Sequence, residues 1–384
     1  MSLYLQRLEE VKSFFDNKDT VLGYRKLMDC AMDTQDMDVY KKMIALTDWK
    51  EQHVNNETGL ISRSMEVLSL LQTKKVEPAS TQGPVITASD ITKTYGRSGF
   101  QLGPVSIDIK KGHIYGLVGE NGNGKTTLLR ILARELNNTS GSLNYVFKED
   151  IASDYDLRAK LVYIPQRTAT WYGSLKDNLK FVLSNYGVAP EENETRVLMM
   201  IARLGLWNYK QLKWSELSSG YKMRFELART LLRQPEVMLL DEPLANLDVL
   251  AQQVVLEDLK SICNSVVNPI ALILSSQQLY EVEKVSDKVI YLKNGQYTDN
   301  NASFKGETLD QLIIEIDSTS DREAIKKAFE NLPIEKLVYN GGVYLAYFAG
   351  DTQFYRVLYA LGAAQIEVTY IRNISSSTRR FFVS

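Results

Sequence analysis

The chain has 384 residues, 44% of them hydrophobic and 24% charged, with a formal net charge of −2; this is the make-up of an ordinary globular protein with room for two or three domains. A nucleic-acid partner would call for a basic domain or stripe, so none is expected. Two distant cysteines, Cys30 and Cys263, exclude a disulfide framework and a spaced zinc cluster and point to a reducing compartment.

The first residues lack a cationic flank leading into an apolar stretch, and no apolar run approaches the roughly 18 residues that a bilayer span needs. Any membrane span serving this protein is therefore expected on another chain. Residues 1–76 carry helix-period stripes: Leu5, Leu8, Val11 and Phe15, then Met37, Tyr40, Met43 and Ile44, then Leu60, Ile61, Met65, Leu68 and Leu71. Such stripes are core faces, and His53 among polar neighbours reads as a solvated bystander. These helices form an N-terminal all-α extension that could pack on itself or dock on a partner. Residues 77–84 hold two prolines and a glycine among polar residues, which makes them a linker.

From 85 to 300 short β-rich runs alternate with helical stretches, the pattern of an α/β domain. Strands are expected at Val105–Ile109, Ile114–Val118, Leu161–Ile164, Val237–Leu240, Ile270–Leu274 and Lys288–Leu292, the last closing on a hairpin at Asn294-Gly295. Residues 308–384 read strand, helix, strand, Gly341-Gly342 turn, strand, helix, strand, the order of a ferredoxin-like α+β unit.

The second expected strand runs into Gly119-Glu120-Asn121-Gly122-Asn123-Gly124-Lys125-Thr126-Thr127, and an amphipathic helix leaves it. Strand, glycine-rich loop and helix together make a P-loop. Its glycines let backbone N–H groups approach phosphate oxygens, and the helix start adds a positive dipole end. Lys125 is placed to meet the β- and γ-phosphates of ATP, and the Thr126 hydroxyl to coordinate Mg²⁺. Val237–Leu240 ends in Asp241-Glu242, a Walker B pair: Asp241 for the metal, Glu242 as general base toward the attacking water.

Leu217-Ser218-Ser219-Gly220-Tyr221 then resembles the signature motif of the ATP-binding-cassette (ABC) ATPases, whose common form is Leu-Ser-Gly-Gly-Gln. The resemblance covers 85 to about 296. It implies a P-loop NTPase cassette in which Tyr95 stacks on adenine, Gln166 of Tyr163-Ile164-Pro165-Gln166 is a Q-loop glutamine reaching Mg²⁺ and the γ-phosphate, and Asp248 belongs to the D-loop. In the family, Ser218, Ser219 and Gly220 of one copy cap the γ-phosphate on the P-loop of a second, so a head-to-tail homodimer around two ATP is implied. Ser219 and Tyr221 depart from the common signature, and a larger departure comes later. Ser275-Ser276-Gln277-Gln278-Leu279-Tyr280-Glu281-Val282-Glu283 aligns with the family's switch run and puts Gln277 where a histidine stands. A glutamine donates an N–H but carries no charge, so ATP binding is expected intact and turnover slow.

The segment Ala169–Leu179 after the Q-loop, and the ferredoxin-like tail, are similar to cassettes of type-2 ABC exporters. They imply an integral-membrane permease as partner and a place on the cytoplasmic face of the membrane. The alternative is a non-transport ABC ATPase that grips a ribosome, a repair complex or an assembly scaffold through its N-terminal helices.

Overall fold

The computed structural model describes residues 2–81, 83–96, 99–147, 154–277, 282–298, 311–340, 342–349 and 352–375. They group into two compact units, one of 1–277 with 285–288 and 292–296, the other of 278–284, 289–291 and 297–384.

The first unit begins with α1 (Leu3–Asp16), α2 (Thr20–Asp33), α3 (Met37–Gln52) and α4 (Glu57–Gln72). Each starts on a residue whose side chain accepts a hydrogen bond from the first turn: Ser2, Asp19, Asp36 and Asn56. These caps satisfy N–H groups that the helix itself leaves unpaired. Most of each stripe read from the sequence faces the core, with Leu8, Val11, Phe15, Met43, Leu68 and Leu71 at 2% exposure or less. Leu5 is exposed, and Met37, Ile44, Ile61 and Met65 are half-buried. His53 is exposed and stacks on Trp49. Ala79 in the connecting stretch donates to the Val266 carbonyl at 2.9 Å, and Pro84 already opens the first strand.

That strand, β1 (Pro84–Thr94), lies between β2 (Gln101–Lys110) and β4 (Ser140–Tyr145) in an antiparallel sheet. β1 and β4 carry mixed polar sequences that the strand pattern did not reveal. The second sheet joins β3 (Ile114–Val118), β5 (Leu161–Ile164), β6 (Val237–Leu240), β7 (Ala271–Ser276), β8 (Lys288–Lys293) and β9 (Gln296–Thr298) in the order β5-β6-β7-β3-β8-β9. β5, β6, β7 and β3 run parallel, with Leu240 beside Leu274 and Val118 beside Ser276. β3 and β6 are buried along their whole length, as parallel strands covered on both faces are. The P-loop helix α5 (Lys125–Leu132) follows β3, and α6 (Asp154–Lys160) precedes β5. Then α7 (Leu175–Asn185), α8 (Pro190–Arg203) and α9 (Ser219–Leu231) form a helical stretch between β5 and β6, and α10 (Val249–Cys263) links β6 to β7. Both cysteines are buried and free.

The second unit holds β10 (Gln311–Ser318), α11 (Arg322–Ala328), β11 (Ile334–Asn340), β12 (Val343–Ala349), α12 (Phe354–Ala363) and β13 (Val368–Asn373). Its antiparallel sheet has the order β11-β12-β10-β13, the strand order of a ferredoxin-like βαββαβ unit. Ile314, Ile316, Ile325, Phe329, Phe348 and Val357 make its core.

Candidate functional site

The carboxyl ends of β3, β6 and β7 are neighbours, so the loops leaving them converge; this is where open parallel sheets place ligands. The P-loop turns off β3. Gly124 caps α5 in the left-handed region at φ +97°, and a Cβ there would press on Leu102 and Phe100 at 3.0 Å. At Gly119 a Cβ would lie 2.4 Å from the Leu292 carbonyl oxygen. Both positions therefore demand glycine. Asn123 is buried, donating to the Leu292 carbonyl at 3.3 Å and accepting from the Asn294 N–H at 3.1 Å. Its side chain thus pegs the loop to the β8–β9 turn, and only its backbone remains for phosphate.

Lys125 is 5% exposed, donates to the carbonyls of Gly119 at 2.7 Å and Glu120 at 3.2 Å, and pairs with Glu242 at 3.4 Å. Asp241 sits at the centre of the hydrogen bonding. Its Oδ2 accepts from the Thr126 hydroxyl at 2.7 Å and the Tyr163 phenol at 3.1 Å, and its Oδ1 from the Ser275 hydroxyl at 2.7 Å. The same Ser275 oxygen accepts from the Glu242 N–H at 2.8 Å, holding Glu242 at φ +48°. A non-glycine residue there stores strain that its surroundings must impose, a recurrent feature of active sites. Gln277 donates to both Glu242 carboxylate oxygens, at 3.1 and 2.9 Å. Gln278–Glu281 of the same run lie outside the described residues.

Tyr163 and Ser275 escaped the sequence reading. Tyr163 lies one position before the end of a strand, and Ser275 opens the switch run with no role of its own assigned; only the parallel registers Tyr163 with Leu239 and Leu274 with Leu240 bring them to Asp241. Burial and the Asp241 charge push the Tyr163 phenol well up, so it remains a donor.

Gln166 is exposed two residues beyond the end of β5. Tyr95 is 37% exposed at the β1–β2 turn, its ring 6.3 Å from that of Phe100, the side chain that packs on Gly124. Ser218 caps α9, accepting from the Tyr221 N–H, while the Ser219 hydroxyl donates to the Asn246 carbonyl at 2.9 Å. Asp248 caps α10 through the Ala251 N–H. Among the described residues, Ser218 and Ser219 make no hydrogen bond to the P-loop of their own chain. The structure therefore gathers Lys125, Thr126, Asp241, Glu242 and Gln277 at one place, and Ser218, Ser219 and Asp248 around the start of two adjacent helices.

Thr126 and Asp241 present hard oxygens beside the P-loop helix start, with Gln166 on the neighbouring strand end; this donor set fits Mg²⁺ rather than a softer metal. A P-loop, a Walker acid pair and a capped signature helix on one parallel-sheet core define an ATP-binding cassette.

The comparisons agree. The ABC transporter family model matches residues 102–245. An ABC transporter ATP-binding protein of Methanocaldococcus jannaschii is 30% identical over 217 residues, which are 56% of this chain and 76% of that protein. The lantibiotic transport ATP-binding protein of Streptococcus pyogenes is 29% identical over 229 residues, 60% of this chain and 96% of that protein. Relatives of similar identity are named for import of spermidine and putrescine or of Fe(3+) ions. Among solved structures, cbiO1 from Clostridium perfringens, part of the ABC transporter complex cbiONQ, gives a TM-score of 0.53 at 22% identity over 66% of this chain and 97% of that one. That likeness is one of fold. The chain belongs to the ATP-binding proteins of ABC transporters, and it is an ATPase.

Proposed function

We propose that two copies of this chain close head to tail around two ATP and Mg²⁺ and drive a separate membrane permease. The observation that carries this reading is the Thr126–Asp241–Ser275–Glu242 chain of hydrogen bonds beside the P-loop, with Lys125 and Gln277 against Glu242. In this arrangement Thr126, Asp241 and Gln166 would hold Mg²⁺, which would supply charge neutralisation at the phosphates. ATP draws Lys125 from the Gly119 and Glu120 carbonyls onto the β- and γ-phosphates. Glu242 accepts the proton of the attacking water, and Gln277 keeps that carboxylate aimed.

The signature supplies the other half of the site. Ser218 and Gly220 begin a helix of 13 residues, whose N–H groups and dipole suit an anion. Among the described residues Ser218 and Ser219 make no hydrogen bond to their own P-loop, which leaves this helix start free to cap the γ-phosphate held by a second copy. Gln277 lacks a charge, so turnover is slow relative to a cassette with an imidazolium there.

Among the described residues no helix is long and apolar enough to cross a membrane. In this reading the permease is a separate chain and this one docks on its cytoplasmic face. Tyr172, 89% exposed just after the Q-loop, and Phe181, 63% exposed on α7, offer apolar surface to it. The ferredoxin-like tail supports export. The test is mass measurement of purified Glu242→Gln protein with and without ATP and Mg²⁺. A doubling of mass that needs ATP supports the reading, whereas a monomer at saturating ATP overturns it. Co-purification with a polytopic membrane protein from detergent extracts supports the transport role. Recovery with ribosomes or an assembly complex instead replaces it.

A further inference from the structure

The four N-terminal helices are not part of the nucleotide site, yet one of them, α2, reaches α10, the helix against which the signature helix packs. Asp258 on α10 is 2% exposed and receives arginines from three different elements. Arg25 of α2 and Arg203 of α8 each place a guanidinium nitrogen 2.9 Å from its Oδ1. Arg224 of α9, four residues beyond Gly220, faces its Oδ2 at 3.6 Å. Asp29 of α2 pairs with Arg203 from the other side and also accepts from the Ser261 hydroxyl on α10, and Arg25 pairs with Glu257 as well. Three cations and three anions thus balance in a setting where an unmatched charge is expensive.

The bundle also spans two parts of the cassette. On the helical stretch, Glu51 of α3 accepts from the Asn208 amide at 2.6 Å. On the core side, Asp33 accepts from the Ser265 hydroxyl at 2.6 Å and the Val266 N–H at 3.1 Å. α9 lies along α10 from Gly220, where a Cβ would come within 3.2 Å of the Ala251 side chain, to the Arg224–Asp258 pair. Asp258 Oδ2 accepts no hydrogen bond, and Arg224 stands just outside hydrogen-bond range. Of the three arginines around Asp258, Arg224 of the signature helix is the one that pairs without a hydrogen bond.

We propose that Arg25 and Asp29, acting through Asp258, position the signature helix, so that the N-terminal bundle sets how readily the ATP sandwich closes. A small advance of α9 brings Arg224 onto the vacant Asp258 oxygen, and the bundle holds that carboxylate in place to receive it. Apolar docking alone would attach the bundle without aligning α9. A buried charge network, by contrast, specifies register, because each misplaced partner leaves a charge unpaired. The proposal rests on the head-to-tail sandwich, with Arg25 and Asp29 as positioning residues that touch no nucleotide.

Two measurements on the full chain test it. The first follows ATP-driven dimerisation in the Glu242→Gln background. Arg25→Ala is expected to raise the ATP concentration for half-dimerisation about five- to tenfold, the usual scale of coupling between sites. Binding of mant-ATP to the dilute monomer stays unchanged, and Arg25→Lys recovers part of the loss. The second is amide hydrogen exchange of residues 219–231 without nucleotide, which Arg25→Ala is expected to accelerate. This arm needs no dimer. If the Glu242→Gln parent stays monomeric, the sandwich reading has failed, and the closure claim falls with it whatever the exchange shows. If the parent dimerises but Arg25→Ala shifts neither the ATP dependence nor the exchange while lowering the melting temperature, Arg25 is only a staple and the proposal is overturned.

Discussion

Gln277 donates its amide nitrogen to both oxygens of Glu242, at 3.1 and 2.9 Å, so the residue in the switch position orients the carboxylate proposed as general base. A neutral amide can orient the carboxylate, but it brings no positive charge to the transferring phosphoryl group. Gln277→His is expected to raise kcat several-fold, since a charge-assisted hydrogen bond is roughly twice as strong as a neutral one. ATP affinity should not change. Steady-state phosphate release with parallel nucleotide titration measures both, and a slower histidine variant with unchanged affinity would mean that Gln277 is tuned to this site.

Glu242→Gln removes the proposed base and one partner of Lys125. Turnover should fall by about 10²–10⁴-fold, the contribution typical of general base catalysis. Nucleotide binding should hold, because Lys125 keeps the Gly119 and Glu120 carbonyls as partners until phosphate arrives. Single-turnover hydrolysis beside equilibrium binding separates the two effects.

Ser275 joins the Walker acids: its hydroxyl donates to Asp241 and accepts from the Glu242 N–H. Ser275→Ala leaves a buried acceptor and a strained backbone N–H without that partner, at about 1–3 kcal/mol of stability. It should also raise the Mg²⁺ concentration needed for half-maximal activity, since Asp241 loses one of the donors that fix it. A mutant with a normal Mg²⁺ dependence would assign Ser275 to folding alone.

Asp33 gives a pH signature at the bundle–cassette seam. Burial, first of all, raises its pKa above the ordinary 3.8, against the pull of Ser265 and the Val266 N–H. The folded state then binds its proton more tightly than the unfolded chain does. Its contribution to stability is complete below 3.8 and is lost as pH rises through the higher folded value. Denaturation midpoints of wild type and Asp33→Asn should therefore diverge as pH rises above 3.8, in favour of the asparagine variant. A difference that stays constant through that rise would contradict the shifted carboxylate.

Much of this protein is written in short local patterns, and those the sequence alone determined. The P-loop is legible because a tight phosphate-binding turn tolerates only glycine at Gly119 and Gly124, and the Walker strand because a fully buried parallel strand must be apolar throughout. The ferredoxin-like order of the tail follows from alternating periodicities that need no distant partner to be recognised.

What the chain order conceals is lateral. α2 escaped the periodicity reading because Arg25 and Asp29 interrupt its apolar face, and those residues make sense only beside Asp258, more than two hundred positions away. Tyr163 looks like part of a core strand and Ser275 like mere flank of the switch position until the parallel register sets them against Asp241. The Asn123 side chain looks free for phosphate until the β8–β9 turn takes it up and leaves only the backbone N–H for that role. Sequence determines which chemistry a segment can carry, because backbone sterics and burial act locally. Only the tertiary structure decides which charges and donors meet, because pairing across sheets and helices depends on neighbours that the chain brings together by folding.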